Sequence, residues 1–263
     1  MRRLLIRPGA IGDLIVSFPA LEHLRAEYTE VWVARNDMVG LVRFADQVGS
    51  IPGKGLNLLE LGQAPERLWE ELKSFDEIVS WYGNGRQEFR QAVSHLPVRF
   101  FRALPDDPQV HATDYYLRQV GAPLGAVPRI ECPRVQGDFA VIQPFSSKRK
   151  KNWPLEKFRE LARALEDRGL PVRWCAGPEE EFEGAERYED LYELGRWLAA
   201  ARLFIGNDSG VTHLAAAVGT PVVALFGPSD PAVWGPRGAH VRVVRHQPLA
   251  ALAVEAVLRA AEA

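Results

Sequence analysis

Residues 205–227 read IGNDSGVTHLAAAVGTPVVALFG. An apolar run, Leu203 to Ile205, ends at Gly206-Asn207-Asp208-Ser209-Gly210. Small, helix-compatible residues follow, and a second apolar run, Val222 to Phe226, closes the stretch. Strand, polar turn, helix and strand in that order form one α/β unit of a mostly parallel sheet. A helix that starts just after a strand presents free backbone N–H groups, and these with the helix dipole bind anions, phosphate above all. Gly206 and Gly210 allow an unusual turn and close backbone approach. Asp208 or Ser209 caps the helix. His213 falls in the first turn, where it can donate to a phosphate oxygen. The blander alternative is that Asn207, Asp208 and Ser209 only cap a helix and His213 fills space. The small and polar cluster, continued by GTPVVALFGPSDPAVWGP, favours a ligand site.

The same alternation extends in both directions. In the second half, Phe139–Gln143 and Pro171–Cys175 read as strands, and residues 154–168 and 191–201 as helices. In the first half, the strands are Leu4–Arg7, Val31–Ala34, Glu77–Trp81 and Val98–Phe101. Helices are expected over 12–28, 65–74 and 111–120. Between them, GAPLGAVPRIECPRVQG (121–137) is rich in Gly and Pro and has no period, as a domain linker does. Two α/β lobes follow, 1–130 and 137–263. A last amphipathic helix over about 249–261 either closes the second lobe or packs on the first.

Composition narrows the function classes. Charged residues are 25% of the chain and hydrophobic residues 47%, ordinary for a globular protein. A net charge of −2 provides no basic field for nucleic acid. Cys132 and Cys175 are too few for a disulfide framework, which points to a reducing compartment. No run reaches the length of a membrane span, and Arg7, Pro8 and Asp13 interrupt what would be the apolar part of a signal peptide. A cytoplasmic protein is expected.

Three stretches carry a family resemblance: LLIRPGAIGDLIVSFPALEHLR (4–25), QPFSSKRKKNWPLEKFRELARAL (143–165) and IGNDSGVTHLAAAVGTPVVALFGPSDPAVWGP (205–236). Together and in this order they resemble glycosyltransferase family 9, the ADP-heptose:lipopolysaccharide heptosyltransferases. The resemblance implies a GT-B fold, two Rossmann-like lobes with mostly parallel sheets facing a central cleft. It places the acceptor mainly on the first lobe and the nucleotide sugar mainly on the second.

The resemblance also implies roles. Asp13, in the Gly-x-x-Gly-Asp motif with Gly12, matches the proposed general base. Inverting transfer needs such a group to take the acceptor hydroxyl proton; the plainer alternative is an ordinary acid in a first helical turn. Ser146 and Ser147 match the family's hydroxyl pair and Lys151 its lysine, chemistry suited to a leaving diphosphate. Lys148 is a neighbouring substitute, and a solvated basic loop is the competing reading. Glu179 or Glu180, after the next strand, is placed to accept from a ribose; a solvated acidic loop is about as good an account. Asp208, Ser209, Gly210 and His213 complete the donor-site set. No Asp-x-Asp occurs, and His95, His111, His240 and His246 lack ligand spacing, so no metal or other cofactor is expected. The GxG of WYGNGR (81–86) is no dinucleotide fingerprint; it is either a binding loop or a turn.

The expected function is inverting transfer of a heptose-like sugar from an ADP-sugar or similar donor. The expected acceptor is a lipid-linked saccharide of the lipopolysaccharide core or another part of the cell envelope. The enzyme would be free in the cytoplasm or peripheral at the inner membrane. The alternatives are a nucleotide-sugar epimerase of the same architecture, which needs no acceptor, and a non-catalytic nucleotide-sugar-binding module. A nicotinamide enzyme is disfavoured, because no G-x-G-x-x-G follows a strand.

Overall fold

A computed structural model describes residues 1–133, 135 and 137–262. The chain divides into two compact units, Met1–Pro108 with Ala112–Ala126, and Gln109–His111 with Val127–Ala263. The Gly- and Pro-rich stretch 121–137 spans the crossing at 126–127; its residues 134 and 136 lie outside the described set.

The first unit contains β1 (Arg2–Arg7), β2 (Tyr28–Val33), β3 (Gln47–Ser50), β4 (Glu77–Ser80) and β5 (Val98–Phe100). Its helices are α1 (Ile11–His23), α2 (Ile51–Lys54), α3 (Glu66–Lys73), α4 (Gln87–Ala92) and α5 (Ala112–Val120). All neighbouring strands pair in parallel, in the order β3-β2-β1-β4-β5. Leu4 and Ile6 pack with Trp32, Ile78, Leu72 and Phe89 on one face. Leu5, fully buried, turns by the pleat to the other face, as in a parallel sheet covered on both sides.

The helix expected over 12–28 ends at His23, and Tyr28 already belongs to β2. The apolar period continues past Leu24, but β2 takes Tyr28 and Thr29 as register partners of Arg2 and Arg3. The Thr29 hydroxyl also accepts from the Ala26 N–H at 2.9 Å, tightening the turn. Pairing along the whole of β1 outweighs helical periodicity here.

The second unit contains β6 (Ala140–Gln143), β7 (Val172–Trp174), β8 (Leu203–Asn207), β9 (Val222–Phe226) and β10 (Val241–Arg245). Its helices are α6 (Leu155–Glu166), α7 (Leu191–Ala200), α8 (Gly210–Ala217), α9 (Pro231–Trp234) and α10 (Val254–Glu262). The order is β10-β9-β8-β6-β7, again all parallel. Ile142, Ile205, Val223 and Leu225 pack against Phe158 and Leu161 of α6 and Val257 of α10. The last helix is thus part of the second unit's core. It begins at Val254, after a separate 3-10 turn at Leu249–Ala251, rather than at 249. Leu252 between them gives its carbonyl to the Trp153 indole at 3.1 Å and to Lys157 at 2.7 Å.

Candidate functional site

In each sheet the chain reverses its direction of travel across the sheet at one place. In the second sheet this is between β6 and β8, and in the first between β1 and β4. In open parallel sheets the crevice beyond the strand ends at such a point is where ligands bind.

The β6–β8 point is built around Asn207. Its side chain is fully buried. Oδ1 accepts from the Trp153 N–H at 2.9 Å and Nδ2 donates to the Pro144 carbonyl at 2.7 Å. One amide therefore holds both ends of the loop that carries Ser146, Ser147, Lys148 and Lys151. Sequence reasoning gave Asn207 no role beyond the blander capping alternative; an amide at the last position of a buried strand was the available signal. Asn207→Ala leaves a buried N–H and a buried C=O without partners. It is expected to lower stability by roughly 2–6 kcal/mol, at about 1–3 kcal/mol for each of the two orphaned groups. Urea unfolding reads this as a lower midpoint; an unchanged midpoint would mean that the loop is held by other means.

Ser209 is the cap of α8, accepting from the Thr212 N–H at 3.3 Å, and its hydroxyl lies 3.2 Å from Gln143 Oε1. Gly210 is the first helical residue. Gly206 is needed because a Cβ there would lie 2.9 Å from the Phe204 ring and 3.2 Å from the Gln143 carbonyl. Beside this helix start Lys151 Nζ donates to Asp208 Oδ2 at 2.6 Å, with the Asp208 side chain only 8% exposed. Asp208 is therefore the lysine's partner and not a cap. His213 is buried one turn inside α8.

Around this centre the loop residues differ in what they have free. The Ser146 hydroxyl is 2.7 Å from Asn152 Oδ1 and 3.1 Å from the Lys148 carbonyl, so it braces the loop. Ser147 and Lys148 are exposed. Glu180 accepts from the Gly177 N–H at 2.7 Å and is committed to its own turn, whereas Glu179 stands exposed. Nearby Cys175 is a buried free thiol, and burial, with the charges of Glu180 and Glu186, pushes its pKa up to about 12, so it is not a nucleophile at neutral pH.

In the first unit Asp13 sits in the first turn of α1, half-buried, with Oδ2 accepting from the Ala10 N–H at 3.0 Å. Gly9, at φ 111°, lies against it; a Cβ there would be 2.9 Å from Asp13 Cβ. Gly12, also half-buried, is the second residue of α1. At the ends of β1, β4 and β5 lies a cavity of about 360 Å³, lined by Pro8, Tyr82, Asn84, Arg86, Arg102 and Ala103 among others. The WYGNGR loop is thus a cavity wall. Arg86 lies 4.0 Å over the Tyr82 ring and pairs with Glu60 at 2.9 Å.

A family model described as glycosyltransferase family 9 (heptosyltransferase) matches residues 108–257. The chain belongs to glycosyltransferase family 9. Lipopolysaccharide heptosyltransferase 1 of Escherichia coli K12 is 30% identical over 142 residues, 43% of this chain and 44% of that protein. The matched stretch thus spans less than half of that relative. The lipopolysaccharide core heptosyltransferase OpsX of Haemophilus influenzae is 22% identical over 86% of this chain and 79% of its own. Among solved structures, Escherichia coli heptosyltransferase WaaC with ADP superposes with a TM-score of 0.72 at 20% identity, covering 98% of each chain. That likeness gives the family 9 member its two-lobed GT-B fold. Among the described residues, no group of three or more His, Cys, Asp or Glu side chains is arranged to hold a metal ion. Among the described residues, no helix is long and apolar enough to cross a membrane.

Proposed function

We propose that the protein is an inverting glycosyltransferase moving a heptose-like sugar from an ADP-linked donor to a saccharide of the lipopolysaccharide core or another cell-envelope glycan. The observation that carries the reading is the Lys151–Asp208 pair beside the start of α8, at the β6–β8 reversal, inside the segment that matches the family. The second unit holds the donor. Lys151 and the free N–H groups of α8 meet the charge of the departing diphosphate, so the reaction has no need of a metal for that task. Asp208 aims the lysine and, with Glu179, meets hydroxyls of the donor, while Ser147 and His213 meet its phosphates and Ser146 braces the loop that carries Ser147 and Lys151. The first unit holds the acceptor, in the cavity lined by Asn84, Arg86 and Arg102. Asp13 Oδ2 is anchored on Ala10 N–H. Oδ1 is left to take the acceptor hydroxyl proton as that oxygen bonds to the anomeric carbon and the bond to the diphosphate breaks. The scarcity of cysteine favours a reducing compartment, and with the proposed acceptor it supports a reaction in the cytoplasm at the inner membrane face.

The test is thermal melting with ADP-heptose, ADP, UDP, GDP and adenosine. A ligand at 100 times its Kd stabilises by about 2.7 kcal/mol, which is roughly 5–11 °C for a chain of this size. ADP and ADP-heptose are expected to give such shifts and adenosine far less. Melting that no nucleoside diphosphate moves would overturn the reading. Turnover of ADP-heptose at full rate without any acceptor would point instead to an epimerase-like reaction.

A further inference from the structure

Arg7 is the last residue of β1 and is 1% exposed. Its guanidinium donates from Nε to Ser17 Oγ at 3.0 Å, and from Nη1 to the carbonyls of Pro8 at 2.9 Å and Ala103 at 3.3 Å. Nη2 donates to the Asp13 carbonyl at 2.9 Å and to the Tyr116 hydroxyl at 2.9 Å, and the group lies 4.6 Å over the Tyr116 ring. Every one of these acceptors is neutral. The two hydroxyls pass their own protons onward, Ser17 to the Leu14 carbonyl at 2.7 Å and Tyr116 to the Ala103 carbonyl at 2.8 Å, so donors and acceptors match throughout. Burial, the largest influence, pushes the Tyr116 phenol up to about 12, and it remains a donor across the neutral range.

Burying a guanidinium is costly, and an apolar residue of similar volume commonly serves stability as well or better. What an apolar residue cannot do is hold separate chain segments at set angles, which the planar five-donor fork does. The segments held here are the turn after β1, the first turn of α1, the loop after β5 and helix α5. Pro8 and Ala103 are walls of the cavity, and Asp13 carries the carboxylate assigned above.

We propose that Arg7 is a positioning residue: it sets the backbone from which Asp13 projects and joins that backbone to the cavity wall. The role rests on the transferase reading for its catalytic consequence, while the geometric claim stands alone. The experiment uses Arg7→Met, Arg7→Lys, Asp13→Asn and the Arg7→Met/Asp13→Asn double variant, with ADP-heptose as donor and heptose-free lipopolysaccharide as acceptor. Arg7→Met is expected to lower kcat about 100-fold, the order expected for a misplacement near 1 Å, with the KM for ADP-heptose within about twofold. Arg7→Lys keeps the charge without the fork and recovers less than about tenfold. Because Arg7 acts through Asp13, adding Arg7→Met to Asp13→Asn changes kcat by less than about threefold, as coupled sites do. Losses that multiply, or an Arg7→Met enzyme within threefold of the parent, would overturn the role. Should Arg7→Met not fold, Tyr116→Phe removes one acceptor and is expected to lower kcat severalfold while melting falls by only a few degrees, the effect of one orphaned buried N–H; an unchanged kcat would count against the proposal. Hydrogen exchange of the Leu14–Phe18 amides reads the geometry without turnover. Exchange no faster in the variant sinks the inference, whereas an inert parent enzyme with faster variant exchange sinks the transferase reading alone.

Discussion

Asp13→Asn lowers the rate of sugar transfer by about 10²- to 10⁴-fold, the usual worth of a general base, and leaves ADP binding and folding close to those of the parent. The physical reasons are separable. Asn keeps the side-chain oxygen that accepts the Ala10 N–H at 3.0 Å, and it is a competent residue near a helix start, so α1 still begins at Ile11. Gly9 still fits, because the Cβ it lies against is unchanged. What is lost is a second oxygen able to take a proton. The donor residues all belong to the second unit, so the ADP affinity of the variant stays within a small factor. Single-turnover transfer and ADP titration on the same preparation decide the matter. Near-normal transfer removes Asp13 from the mechanism, and a parallel collapse of ADP binding makes it a structural residue.

Lys151→Ala weakens ADP binding by roughly 10- to 100-fold or more and leaves adenosine binding unchanged. A charge-assisted hydrogen bond is worth about 1.5–3 kcal/mol, and each 1.4 kcal/mol is tenfold in Kd. A second effect adds to this. In the parent, Lys151 Nζ neutralises a buried Asp208 carboxylate at 2.6 Å; without it, that charge is left unpaired and repels the incoming phosphates. Lys151→Ala combined with Asp208→Asn therefore binds ADP more tightly than Lys151→Ala alone. Calorimetric titration with ADP and adenosine measures both. Equal losses for nucleotide and nucleoside would assign Lys151 a structural role, and a double variant weaker than the single would mean that Asp208 contacts the ligand favourably by itself.

The two units owed their legibility to different features. Runs such as Val222–Phe226 are continuous apolar stretches, and every residue of that strand is buried, so the chain alone identifies it. β10 was missed because Val241–Arg245 interleaves valines with Arg242 and Arg245, and this edge strand is half-exposed. An edge strand is recognisable only once its neighbour β9 is in place. β3 went unread for a similar reason: Gln47–Ser50 has little apolar character, and pairing with β2 decides it.

The sequence by itself determined the class of fold, the family, and the residue types at the candidate site, because strand-turn-helix chemistry is local. Gly206 to Gly210 and Gly9 to Asp13 are short segments whose turn and cap requirements are met by their own residues. Tertiary structure alone decided how those residues divide the work. Asn207 bonds to residues 63 and 54 positions away, Lys151 finds Asp208 across 57, and Arg7 reaches Tyr116 across 109. None of these partnerships leaves a periodicity or a spacing in the chain. Each arises because a parallel sheet collects the ends of strands that are far apart in sequence at one edge, where buried polar groups must find partners in whatever loops are collected there.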